Sequence, residues 1–244
     1  MHDDLERLRE VWNELGADDP LWAILSSPDK RGGRWDADEF FAKGEAEIAH
    51  IEAHCAPLLR PRERRLAVDF GCGVGRLTRA LATRYAQAIG VDISPSMLEQ
   101  ARALNAQIPN VRFVENAAPR LEFLADGSVD FVYSVLTLHH IPAPLQRAYI
   151  GEFLRALAPE GLAVFQIASG YSDDWRGWVY RLLPNRLLAP LRRRVHASNA
   201  AADLHPLAER EVAAIVVTAG RKILQAFDID SAGAGFRSRL FFVG

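Results

Sequence analysis

Val68-Asp69-Phe70-Gly71-Cys72-Gly73-Val74-Gly75-Arg76-Leu77 is the stretch that decides the fold. Leu66 to Phe70 read as a buried strand, three glycines at alternate positions turn the chain, and a helix is expected from about Arg76 to Tyr85. Without a β-carbon, such glycines adopt torsions closed to other residues and let a ligand approach the backbone. Outward from the loop, Ala88 to Asp92 reads as a second strand, and Ser94-Pro95 opens a helix. Serine suits the N-cap, where its oxygen accepts from a free N–H, and proline suits the first helical position. Val111–Val114 and Val129–Val135 read as third and fourth strands, and a helix over about Pro144–Leu157 leads through Pro159-Glu160-Gly161 to a fifth, Leu162–Ile167.

Strands alternating with helices imply a parallel sheet covered on both faces, because parallel neighbours need crossover connections. The expected class is α/β, a Rossmann-like doubly wound sheet. A helix over Ala208–Ala219 precedes two more strands, Ile223–Asp228 and Arg237–Val243, joined by the short link Asp230–Gly235 with no helix between them. Those two strands are expected to pair antiparallel or to sit apart in the sheet, and the short link points to a hairpin. Two regions fall outside the core: residues 1–60, helical with Trp12, Trp22 and Trp35, and an insertion at about 170–206 rich in Trp, Tyr, Arg and Leu.

A pyrophosphate-binding fingerprint requires Gly-x-Gly-x-x-Gly, the third glycine permitting close helix–strand packing. Counted from Gly71 that place is Arg76, and counted from Gly73 it is Thr78, so a nicotinamide dinucleotide site is disfavoured. The chain of 244 residues has a formal charge of −2, which gives no bulk attraction to nucleic acid. Two cysteines, Cys55 and Cys72, fall on different elements and suggest a reducing cytoplasm rather than a disulfide scaffold. Met1-His2-Asp3-Asp4 is the opposite of a secretory leader, and no apolar run reaches the roughly 18–20 residues of a membrane span. His50 and His54 stand four apart, but Ile51 holds the place where a zinc peptidase carries its glutamate, so no metal is expected.

Val68–Leu77, Val91-Asp92-Ile93-Ser94, Val129–Ser134, Leu138-His139-His140-Ile141-Pro142 and Leu157–Leu162 together resemble class I S-adenosylmethionine-dependent methyltransferases. The resemblance covers roughly residues 65–169 well and 207–244 loosely. It implies a seven-stranded sheet with an antiparallel last strand, S-adenosylmethionine as cofactor, S-adenosylhomocysteine as product, and methyl transfer to an oxygen or nitrogen of a small molecule. It also implies roles. Asp92 would accept from both ribose hydroxyls; Gly71, Cys72 and Gly73 would pack on the methionine portion, with Asp69 orienting the loop; Ile93 and Met97 would touch adenine. Relatives commonly carry a Gly-Asp-Ala-like turn after the third strand. Here it is Glu115-Asn116-Ala117-Ala118, and Asn116 with the Ala117 backbone would take over adenine recognition.

Ser134 and Val135 would offer carbonyls to the cofactor's amino group, and His139 or His140 is the candidate general base. Trp175, Arg176 and Trp178 in the insertion, with Trp35 and Phe41 in the N-terminal segment, are candidate acceptor contacts, and the arginines suit an anionic or lipid-like acceptor. The domain division expected is a helical lid over 1–60 and a catalytic domain over 61–244 carrying the cap insertion. Two other readings follow from the same residues: a methyltransferase-like binding or scaffold protein without catalysis, and a nicotinamide-dependent oxidoreductase.

Overall fold

The computed structural model describes residues 2–58, 64–182, 204–229 and 235–244. Seven strands form one sheet in the order β3-β2-β1-β4-β5-β7-β6. They are β1 (Leu66–Phe70), β2 (Gln87–Asp92), β3 (Val111–Glu115), β4 (Val129–Ser134), β5 (Leu157–Tyr171), β6 (Ile223–Ile229) and β7 (Phe236–Val243). β1 to β5 pair in parallel, and β7 is antiparallel to both neighbours, β5 and β6. The central strand β4 is buried throughout, so its side chains are apolar on both faces except where a partner waits. One face packs on α6 (Ala143–Ala156) and α8 (Glu209–Thr218), the other on α3 (Ala37–Cys55) and α4 (Arg76–Ala82).

Two elements differ from the sequence reading by more than a residue or two. β5 starts at Leu157 rather than Leu162, because Leu157 already pairs with Val129, and it continues to Tyr171 because β7 pairs along it to Phe236. α4 stops at Ala82 rather than Tyr85, where the chain turns so that the buried Tyr85 stacks on Phe131. The start of α5 (Pro95–Leu104) forms as its residues dictate: Ser94 Oγ accepts from Met97 N at 3.2 Å and Pro95 takes the first turn.

Ahead of the sheet come α1 (His2–Asp18), α2 (Pro20–Ile24) and α3, the last capped by Asp36, which accepts from Glu39 N at 2.9 Å. Between α2 and α3, buried Asp19 clasps the loop by accepting from Gly32 N at 2.7 Å and Gly33 N at 3.0 Å. α1 lies on α5: Asn13 accepts from Ser96 N at 2.9 Å through its side chain and from Ser96 Oγ at 2.7 Å through its carbonyl. After β5, α7 (Trp175–Leu182) begins the expected insertion. Residues 183–203 of that insertion, with Leu187, Leu188, Leu191 and Arg192 to Arg194, lie outside the described residues, as does most of the link between β6 and β7.

Candidate active site

β1, β2 and β4 stop at one edge of the sheet, and the glycine loop fills the gap between them. Gly71 and Gly73 have φ of 78° and 51°, which a side chain would oppose. The loop folds back onto β2 because Gly71 N and Cys72 N both donate to Val91 O, at 2.7 and 3.0 Å. Asp92 then fastens it: one carboxylate oxygen accepts from Gly73 N at 2.8 Å, the other from Ser94 N at 2.9 Å. Burial pushes the Asp92 carboxyl up from its ordinary value, and the N–H donors of Ser94, Gly73 and Ile93 pull it back. An ionised carboxylate offers about four lone-pair directions, so both oxygens keep capacity for hydroxyl donors.

Beneath the loop, Asp69 accepts from Thr78 Oγ1 at 2.6 Å. Burial pushes this carboxyl up to about 7, against the Thr78 bond and the Arg76 cation. Burial likewise raises the Cys72 thiol well above its ordinary value, so it stays a protonated, inert thiol.

Across the loop, Ser134 Oγ donates to Phe70 O at 3.0 Å and ties β4 to β1. Val135 to Thr137 turn the chain into a short 3₁₀ segment, Leu138–His140. His139 is 2% exposed. Burial first, then the neighbouring His140 4.3 Å away between ring centroids, pulls the His139 imidazole down to about 2. A ring that resists protonation this strongly is a poor proton acceptor at neutral pH. His140 is half-buried and meets the edge of Trp12 at 5.3 Å, which brings α1 to the mouth of the site. Ile24 of α2 comes closer still, occupying the space that a β-carbon on Gly73 would need.

A family model described as a methyltransferase domain matches residues 67–161, the span from β1 into β5 that holds this loop, Asp92 and the β4 turn. Curated proteins to which the chain is similar include the trans-aconitate 2-methyltransferase of Deinococcus radiodurans, 34% identical over 56% of this chain and 50% of that protein. Another is the ubiquinone biosynthesis O-methyltransferase of Idiomarina loihiensis, 31% identical over 58% of each. The chain thus spans about half the length of the curated relatives it matches. Among solved structures, magnesium protoporphyrin IX methyltransferase from Synechocystis with bound S-adenosylhomocysteine superposes with a TM-score of 0.63, at 19% identity and covering 98% of each chain.

Around the glycine loop, Ile93 is half-buried beside Asp92, and Asn116 N donates to Asp92 O at 2.9 Å. The Asn116 side chain donates to Ala118 O at 2.7 Å, which fixes the turn, and Ala117 is exposed. Gly71, Cys72, Gly73, Asp92, Ile93 and Asn116 therefore gather at one edge, with Ser134 and Val135 facing them across the loop. Met97 goes elsewhere: it is buried in a cluster with Trp35, Phe40, Phe41 and Val74, against Gly16 of α1.

The acceptor candidates divide between two places. Trp35 donates its indole N–H to Leu25 O at 3.1 Å, and Phe41 lies 3.4 Å beneath the Arg79 guanidinium, both inside the N-terminal cluster. Trp175 and Trp178 project from α7, 70% and 55% exposed, with the Arg176 guanidinium 5.3 Å over the Trp175 ring.

Sequence reasoning missed a buried polar cluster behind the loop. Arg76, 3% exposed, donates to Glu47 Oε2 at 2.8 Å, and Tyr133 OH donates to Glu47 Oε1 at 3.1 Å. One signal was present: a cation in the first turn of a helix opposes the macrodipole and needs a carboxylate close by. What the sequence did not reveal is that the carboxylate comes from α3, twenty-nine positions earlier.

Proposed function

We propose that this protein is an S-adenosylmethionine-dependent methyltransferase acting on an oxygen or nitrogen of a small-molecule acceptor. The observation that carries the reading is the Asp92 carboxylate fastened to Gly73 N, at the place where β1 and β2 end together. That pairing suits a nucleoside joined to an amino-acid chain: the carboxylate answers two ribose hydroxyls, and the bare backbone of Gly71 answers the chain beside it. When bound, S-adenosylmethionine supplies a methyl carbon activated by a sulfonium, which the acceptor atom displaces in line.

The protein's own part is to align the acceptor and exclude water. Asp92 and the glycine loop hold the donor side, while the turn after β4 borders the place where an acceptor would enter. Its depressed basicity suits His139 to hydrogen bonding as a neutral ring, leaving His140 as the better candidate base when a hydroxyl must lose its proton. The names of the relatives span an anionic acid, trans-aconitate, and lipid-like quinones, which fits an acceptor met by Trp175, Arg176 and Trp178. α1 and α2, reaching Ile24 to Gly73 and Trp12 to His140, serve in this reading as a lid over the donor side.

Calorimetric titration with S-adenosylmethionine, S-adenosylhomocysteine and NADH tests the reading. Micromolar binding of the first two without NADH is expected, and Asp92→Ala should weaken it by about 1–3 kcal/mol through lost charged hydrogen bonds. A folded protein that binds neither sulfonium-derived ligand overturns the proposal. Binding with no turnover across an acceptor screen would instead support a scaffold.

A further inference from the structure

Leu136 is the one described residue other than glycine with a positive φ, 56°. A leucine there crowds its β-carbon against its own backbone, so the conformation persists only where the surroundings impose it. Two buried polar side chains do so here. Leu136 N donates to Gln166 Oε1 at 2.8 Å, and Gln166 Nε2 donates to Ser238 Oγ at 2.7 Å. Both Gln166 and Ser238 are buried in an otherwise apolar part of the sheet. A primary amide is costly to bury there unless its hydrogen bonds are made.

The placement follows from the register. Phe165 pairs with Ser134, the last residue of β4, so Gln166 stands beside the point where β4 stops and its amide reaches the N–H that β4 no longer pairs. The reversal at Leu136 sends Thr137 back over the glycine loop. There Thr137 Oγ1 donates to Val135 O at 2.9 Å, and its side chain fills the space that a β-carbon on Gly71 would take.

The geometry points to Gln166 and Ser238 as positioning residues: together they hold the strained Leu136 turn in the shape that builds the β4 side of the donor site. This inference rests on the methyltransferase reading above. Neither side chain need touch a ligand, because both act through the backbone of Leu136. Ser238 is the outer anchor, setting the plane of the Gln166 amide from β7.

A double-mutant cycle tests it, with S-adenosylhomocysteine affinity measured by calorimetry and thermal unfolding followed in parallel. Glycine adopts positive φ without enforcement, so Leu136→Gly should make Gln166 dispensable. Gln166→Leu is expected to weaken binding about tenfold in the Leu136 background and by less than about threefold in the Leu136→Gly background. Ser238→Ala should weaken it by about threefold, again only with Leu136 in place. Equal losses in both backgrounds, or no loss in either, overturn the positioning role while leaving the methyltransferase reading intact. Wild-type protein that fails to bind overturns both. Should Gln166→Leu fail to fold, Gln166→Asn, one methylene too short to reach Leu136 N, runs the same cycle under the same criteria.

Discussion

α3 and α7 both flank the matched domain, and they meet the sheet in opposite ways. α3 buries a full stripe, Phe40, Phe41, Gly44, Ile48, Ile51 and Cys55, and sends Glu47 into the polar cluster behind the glycine loop. Gly44 lets the helix come so close that a β-carbon would stand 2.6 Å from Arg76 O. α7 buries only Gly177 fully, holds Tyr180 against Tyr171 and Phe236, and presents Trp175, Trp178 and Leu182 to solvent on one stripe. The contrast teaches where each helix draws its reason to exist. α3 is set by the loop's needs: a buried guanidinium and a close backbone. Among the described residues, no such demand meets the outer face of α7.

The contrast can be broken, and Glu47→Ala strikes it hardest. Removing the carboxylate strands a guanidinium that is almost wholly buried, and urea unfolding should record a loss of about 3 kcal/mol. An unchanged midpoint would mean that α3 is held by its apolar stripe alone. Gly44→Val comes next. Overpacking against the Arg76 backbone should cost about 2–3 kcal/mol, read in the same unfolding curves.

Asp69 gives a subtler test, since Glu47 is one of the charges that raise it. Its folded carboxyl titrates near 7 and its unfolded one near 3.8, so the folded state holds the extra proton between those values. The stability from this group is complete below the lower value and lost as pH rises through the upper one. Wild type should therefore lose about 2 kcal/mol relative to Asp69→Asn between pH 5 and pH 7, with no further divergence above. Smallest of all is the effect of Trp175→Ala with Trp178→Ala. Stability should stay within about 0.5 kcal/mol, because little packing is lost. If acceptor KM also stays fixed while turnover is measured, α7 has no part in acceptor binding.

Most of the sheet was legible because its signals are local. The strand before Gly71, the cap at Ser94-Pro95 and the unbroken run from β6 to β7 each fix an element by chemistry within a few residues. The place of Asp92 at a strand end, ahead of a capped helix, was legible for the same reason. What was not legible is tertiary. β5 runs past both expected ends because β4 and β7 supply partners that no periodicity displays. Met97, at a position the resemblance assigned to adenine, is enclosed by α1 and α3 helices whose docking no motif announces. The Glu47–Arg76–Tyr133 cluster and the Gln166–Ser238 pair share that character: each joins residues far apart in the chain through side chains that are ordinary in isolation.

The inserted last strand has a consequence for the order in which the molecule is made. Among the described residues β6 is an edge strand paired only with β7, and β7 follows it in the chain. During synthesis, therefore, β6 leaves the ribosome with no place to dock, while β5 waits with one long flank unpaired. Gln166 waits too, since Ser238 arrives only with β7. A nascent chain should therefore have its glycine loop before the Gln166–Ser238 hydrogen bond beside Leu136 can form.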